Sequence, residues 1–241
     1  MILNKSLNNN FYDLNIFFSA LIIVIYKWSI SILTFENETL ISKILFDIED
    51  FYYFAYLFNV INLNFSPDYI NGISSDSFLP VPIYSLIFHA VFYKLIGLFS
   101  FFLLEFIFLY IFLIIIMKIL DRIKIDYFLG LFMSLFIFLL PSLLSELSIF
   151  DINLNVVSGL FSFRFPRPLV TSCYYFWGIY LALKYYQTDD FSLKNFSYIG
   201  ICLALTFVSY YYNFTNLFVL FFIIFVSKLF ADKSYLKKNY L

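Results

Sequence analysis

Three groups of charged residues interrupt an otherwise apolar chain, and each could do chemistry. The first is Asp47-Ile48-Glu49-Asp50, followed by Phe51-Tyr52-Tyr53-Phe54 and Ala55. Adjacent carboxylates in apolar surroundings raise one another's proton affinity, and one of them can then serve as a general base. The structural alternative is a cap: Asp50 accepting a free backbone N–H of a helix over 51–62. The second group is Arg164-Phe165-Pro166-Arg167-Pro168. Two guanidiniums on a proline-stiffened segment suit bidentate phosphate binding. The same pair can instead anchor a helix end by snorkelling to lipid headgroups. The third group is Lys27 and Glu105, each inside an apolar run. Intramembrane charges pair or face a polar cavity, so these two are expected to form a structural ion pair between two helices.

The scaffold that must position them is a membrane-embedded one. Of 241 residues, 63% are hydrophobic, 24% aromatic and 13% charged, and the mean hydropathy is +0.89. A chain of this size has too little interior to hide so much apolar surface from water. That excludes a soluble globular domain, and the same apolar richness excludes a disordered chain. A net charge of −1 and the lack of a basic stripe argue against nucleic-acid binding. The expected fold class is all-α: a polytopic membrane helical bundle of about six transmembrane helices, with juxtamembrane helices in the first outer loop. The whole chain, 1–241, is read as a single membrane domain, with 14–35 as first span, 36–97 as outer loop with interfacial helices, and 98–230 as the remaining spans.

Apolar runs at 14–35, 98–120, 127–145, 169–187, 197–212 and 214–230 supply the six spans, two of them near the lower limit of about 17 residues. The run 82–97 is short, opens with Pro80-Val81-Pro82 and contains His89 and Lys94, which fits a helix lying in the interface. With the N-terminus cytoplasmic, Lys5, Lys118, Arg122, Lys124, Lys184, Lys194, Lys228, Lys233, Lys237 and Lys238 fall inside. Lys43, Arg164 and Arg167 fall outside, so the positive-inside rule is obeyed. The rule is obeyed equally if 82–97 crosses and the N-terminus lies outside; the weak hydropathy of 82–97 favours the non-crossing arrangement. At 1.5 Å per residue, Lys27 and Glu105 then lie about 12 Å and about 10 Å below the outer surface.

The remaining polar residues point to no cofactor. His89 is the one histidine, and Cys173 and Cys202 lack metal-ligand spacing. A divalent cation could still be held by the acids of the first loop. His89 is expected at the interface, a disulfide between the cysteines is not expected, and the sequon Asn213-Phe214-Thr215 is expected to be a tight turn between helices.

The order of these features resembles the N-terminal module of the GT-C superfamily of membrane glycosyltransferases, which includes protein O-mannosyltransferases and lipid A aminoarabinose transferases. The matching residues are Glu49-Asp50 with their trailing aromatics and Ala55, then Pro80-Val81-Pro82-Ile83-Tyr84 running to Lys94-Leu95-Ile96-Gly97. The resemblance covers roughly 14–230 in order of elements, through short motifs. It implies an inverting transferase that moves a sugar from a polyprenyl-phosphate carrier to a glycan, lipid or protein acceptor at the outer face of a bacterial inner membrane. Glu49, Asp50 or Asp47 would act as base, and Arg164 and Arg167 would hold the lipid phosphate by position. Two departures stand: the acids run Glu-Asp where the family has Asp-Glu or Asp-Asp, and family members are usually longer. A truncated or non-catalytic membrane protein, and a transporter or flippase component, are the alternatives.

Overall fold

The structure is a computed structural model. It describes residues 13–26, 29, 57, 59–63, 83–97, 99–136, 169–188 and 192–231. Among the described residues all regular structure is helical, with no strand. In chain order the helices are α1 (Asp13–Tyr26), α2 (Ile83–Ile96), α3 (Phe99–Arg122), α4 (Tyr127–Phe136), α5 (Leu169–Thr188), α6 (Leu193–Ser209) and α7 (Tyr211–Ala231). Two of them, α3 and α7 over Tyr211–Lys228, are long and apolar enough to cross a membrane. The 24 residues of α3 rise about 36 Å, against a hydrocarbon core of about 30 Å. Over 127–145 the described helix is Tyr127–Phe136. The 20-residue α5 carries Thr171, Ser172, Lys184 and Gln187 within its apolar run.

The chain divides into two compact units, up to Cys173 and from Tyr174. In the first unit α2 and α3 form an antiparallel hairpin. α2 ends at Gly97, whose φ of +62° closes the helix in the left-handed region while its N–H donates to the Tyr93 carbonyl at 2.8 Å. Leu86, His89, Ala90 and Tyr93 recur at helical spacing and turn one face of α2 towards α3. His89 stacks on Phe101 and Phe108, Tyr93 lies on Phe101, and Phe88 meets Phe108 edge-on. α2 runs alongside α3, because an apolar face repeating every 3.6 residues is buried better along a neighbouring helix than against one point of it. At 14 residues α2 is about 21 Å long, less than the hydrocarbon thickness of about 30 Å.

α3 closes with a six-to-one bond from the Ile125 N–H to the Leu120 carbonyl at 3.0 Å, with Lys124 at φ +63°. This is the Schellman arrangement with lysine where glycine is usual. Asp126 then caps α4 by accepting the Phe128 N–H on Oδ2 at 3.1 Å. Phe17 of α1 packs edge-on against Phe106 at 5.1 Å and Tyr110 at 5.8 Å of α3.

The second unit is an up-down-up arrangement of α5 from Tyr174 onward, α6 and α7. Gly178 lies against both Leu217 and Cys202. Lys184 bonds Asn195, and Lys228 bonds the Tyr185 carbonyl. These pairings make α6 antiparallel to α5, and α7 parallel to it. Leu181, Ala182, Cys202, Leu217 and Phe221 form the buried centre. A single extended residue, Tyr210 (φ −159°, ψ 105°), joins α6 to α7. The expected break at the sequon is corrected by this junction: Asn213 belongs to the first turn of α7, where its N–H donates to the Tyr210 carbonyl at 3.0 Å.

Candidate functional site

Asp47, Glu49, Asp50, Arg164, Arg167 and Lys27 lie outside the described residues. Of the residues singled out for chemistry, Glu105 is described: it is half-buried on α3, beside the Phe106 ring that receives Phe17. Of the acid-plus-arginine constellation and the Lys27–Glu105 pair, Glu105 alone is among the described residues.

What the first unit does bring together is a buried polar group around Phe108. His89 is 4% exposed, with its ring 6.3 Å from that of Phe108 and nearly parallel to it. It occupies the same face of α2 as Leu86 and Ala90. From the other side of the chain, the Cys173 thiol donates to the Phe108 carbonyl at 3.3 Å. Thr171 and Ser172, immediately before it, are also buried. The helix that follows Arg167-Pro168 is therefore seated by its first turns on the middle of α3, at the level that holds His89. Periodicity carried this signal in the sequence: Leu86, His89, Ala90 and Tyr93 repeat at i, i+3, i+4 and i+7.

The second unit has two chemically distinct ends. At one, the Lys228 ammonium donates to the Tyr185 carbonyl at 2.7 Å and lies 5.1 Å from the Tyr185 ring centre and 5.9 Å from that of Tyr186. It places a cation on the carbonyl-rich C-terminus of α5, where unsatisfied backbone oxygens and the helix dipole both favour it. Lys184 donates to the Asn195 Oδ1 at 3.3 Å in the first turn of α6. At the other end Tyr210, Tyr211 and Tyr212 cluster at the α6–α7 junction with Phe207 and Phe214. Tyr211–Lys228 is 18 residues, with about 26 Å of rise between its ends. Tyrosines at one end and lysines at the other match the amphipathic belts that flank a bilayer core.

Cys173 and Cys202 are both free thiols; the Cys202 thiol donates to the carbonyl of Tyr174, the residue after Cys173, at 3.4 Å. Among the described residues no group of three or more His, Cys, Asp or Glu could hold a metal ion. Comparison with known proteins gives no match: no family model, no curated protein and no solved structure aligns significantly with the chain.

Proposed function

We propose that the chain is an integral membrane protein of about six spans, with its N-terminus on the cytoplasmic side. We also propose that it belongs with the membrane glycosyltransferases that use polyprenyl-phosphate-linked sugars. The observation that carries the reading is the order of features after the first apolar run. Glu49-Asp50 with trailing aromatics is followed by Pro80-Val81-Pro82, then by a helix ending in Lys94-Leu95-Ile96-Gly97. The structural support is the lower half of that order. α2 starts directly after the proline pair and stops at a left-handed Gly97 after about 21 Å. It runs beside α3, and in this reading 36–82 lies on the outer side.

In this reading one of Glu49, Asp50 and Asp47 accepts the proton of the acceptor nucleophile, which attacks the anomeric carbon. The sugar–phosphate bond breaks with inversion, and Arg164 and Arg167 stabilise the departing phosphate. The membrane lipid serves as solvent for carrier and enzyme. No cofactor is required, although the acids could hold a divalent cation.

The test is sugar transfer from a short-chain polyprenyl-phosphate sugar by the purified chain in lipid nanodiscs. Removing one general base lowers rate about 10²- to 10⁴-fold. Glu49→Gln or Asp50→Asn should do so with unchanged accumulation. Full activity of both, and of Asp47→Asn, eliminates the base assignment. Thiol labelling of single cysteines placed along 83–96 reads the topology independently. Labelling of Ser85→Cys from the cytoplasmic side alone means that α2 crosses, and the outer-face assignment of the acids then falls.

A further inference from the structure

The turn between α6 and α7 holds two buried polar atoms, Ser209 Oγ and Asn213 Nδ2, that no described residue matches. The hydroxyls of Ser197, Thr206, Thr215 and Ser227 donate to carbonyls three or four residues back in their own helices. Ser209 departs from this pattern. It is 2% exposed, and its Oγ has no partner among the described residues. Asn213, four residues on, is 5% exposed with its Nδ2 equally unmatched. Leaving a polar group buried and unsatisfied costs about 1–3 kcal/mol, and two such groups would cost more. Within a hydrocarbon environment no bulk water is present to relieve them.

Position narrows the ligand. Ser209 is the last residue of α6, and Asn213 is in the first turn of α7, with extended Tyr210 between them. The amino-terminal end of α7 carries about +0.5 charge and the carboxyl-terminal end of α6 about −0.5. At a one-residue junction these offset each other, so neither an anion nor a cation is favoured. The side chains themselves offer an amide donor and a hydroxyl that can donate or accept. The matching occupant is a neutral group that both donates and accepts.

We propose that the α6–α7 turn binds one neutral hydroxyl group, held between Ser209 Oγ and Asn213 Nδ2. A water molecule or an alcohol of sugar type can supply it. The exposed Tyr211 and Tyr212 place this site just beneath the tyrosine end of the unit, within reach of the aqueous boundary.

The experiment is equilibrium unfolding of the full chain in nanodiscs, for the native protein, Ser209→Ala and Asn213→Leu. With a bound hydroxyl, each substitution breaks a satisfied contact and lowers the folded-to-unfolded ratio about five- to thirtyfold. Should Asn213→Leu fail to fold, Ser209→Ala decides alone. Glucose added at high concentration then separates the sources. If it stabilises the native chain but not Asn213→Leu, the ligand is a sugar alcohol; destabilised variants with no glucose effect identify water. Unchanged or raised stability of both variants overturns the proposal, since removing an unsatisfied buried polar atom is neutral or favourable.

Discussion

Gly178→Ala tests how tightly the second unit is packed. An ideal Cβ at this position falls 2.4 Å from Leu217 Cδ1, 2.8 Å from Cδ2 and 3.2 Å from Cys202 Sγ. Carbon atoms prefer about 3.5–4.0 Å, so the new methyl group intrudes by more than an ångström on Leu217. That side chain is fully buried, between the central residues of the unit. Either Leu217 leaves its rotamer or α7 backs away from α5. Overpacking of this kind costs about 1–3 kcal/mol. The gain in helix propensity from glycine to alanine, about 1 kcal/mol, offsets part of it. A net loss of up to about 2 kcal/mol follows. Gly200 is the internal control: nothing lies within 4 Å of its Cβ position, so Gly200→Ala keeps the propensity gain and stabilises by up to about 1 kcal/mol. Leu217→Ala alone should cost about 2–5 kcal/mol through the cavity it opens. In the double variant Gly178→Ala/Leu217→Ala the methyl fills part of that cavity. The two losses then sum to less than their separate values, with coupling of about 1 kcal/mol or more. Denaturant titration in micelles, followed by the fluorescence of Trp177 beside the mutated position, reads all four. Equal stabilisation by Gly178→Ala and Gly200→Ala, with strict additivity at Leu217, would refute the close approach.

Lys124→Gly relieves a lysine held at φ +63° and should stabilise by about 1 kcal/mol in the same titration, because glycine occupies the left-handed region without penalty. Gly97→Ala places a Cβ in that region at the end of α2 (φ +62°) and should destabilise by about 1 kcal/mol; hydrogen exchange of the Gly97 region reports it as faster opening. Lys228→Met removes the bond to the Tyr185 carbonyl and the contact with two tyrosine rings, for an expected loss of about 1–2 kcal/mol in thermal unfolding. For the Lys27–Glu105 pair, Lys27→Met and Glu105→Gln should each reduce accumulation in the membrane and the double change should restore it; full accumulation of both singles removes the pairing.

Hydropathy located helices better than it located their ends or faces. The run read as 98–120 is a helix over Phe99–Arg122, because uninterrupted apolar sequence without Gly or Pro punctuation has no competing local structure; 169–187 is one over Leu169–Thr188 despite Gly178 within it. The last two boundaries drifted for a physical reason. Lys194 and Asn195 lower the local hydropathy, yet they lie in the first turn of α6, where Asn195 receives Lys184. Asn213 looks like a turn residue but is buried inside α7. The break falls at Tyr210, an aromatic residue with no turn signature. Hydropathy averages over a window and so reports depth, whereas burial of one side chain depends on its angle around the helix. His89 shows the difference. Averaged over 82–97 it marks a polar, interfacial segment. Placed by angle with Leu86, Ala90 and Tyr93, it enters the packed face against Phe101 and Phe108. The candidate acids and arginines were legible as residue types and in their order along the chain. Order fixes which side of a membrane a charge reaches, but convergence of Glu49 or Asp50 on Arg164 and Arg167 depends on helix angles that order does not contain. The angular information that exists lies in α3. His89 and Cys173 meet it at Phe108 from elements 84 positions apart in sequence. The helix seated there begins two residues after Arg167, so the arginine segment is tethered to the α2–α3 hairpin. The acid segment lies on the other side of that hairpin in sequence.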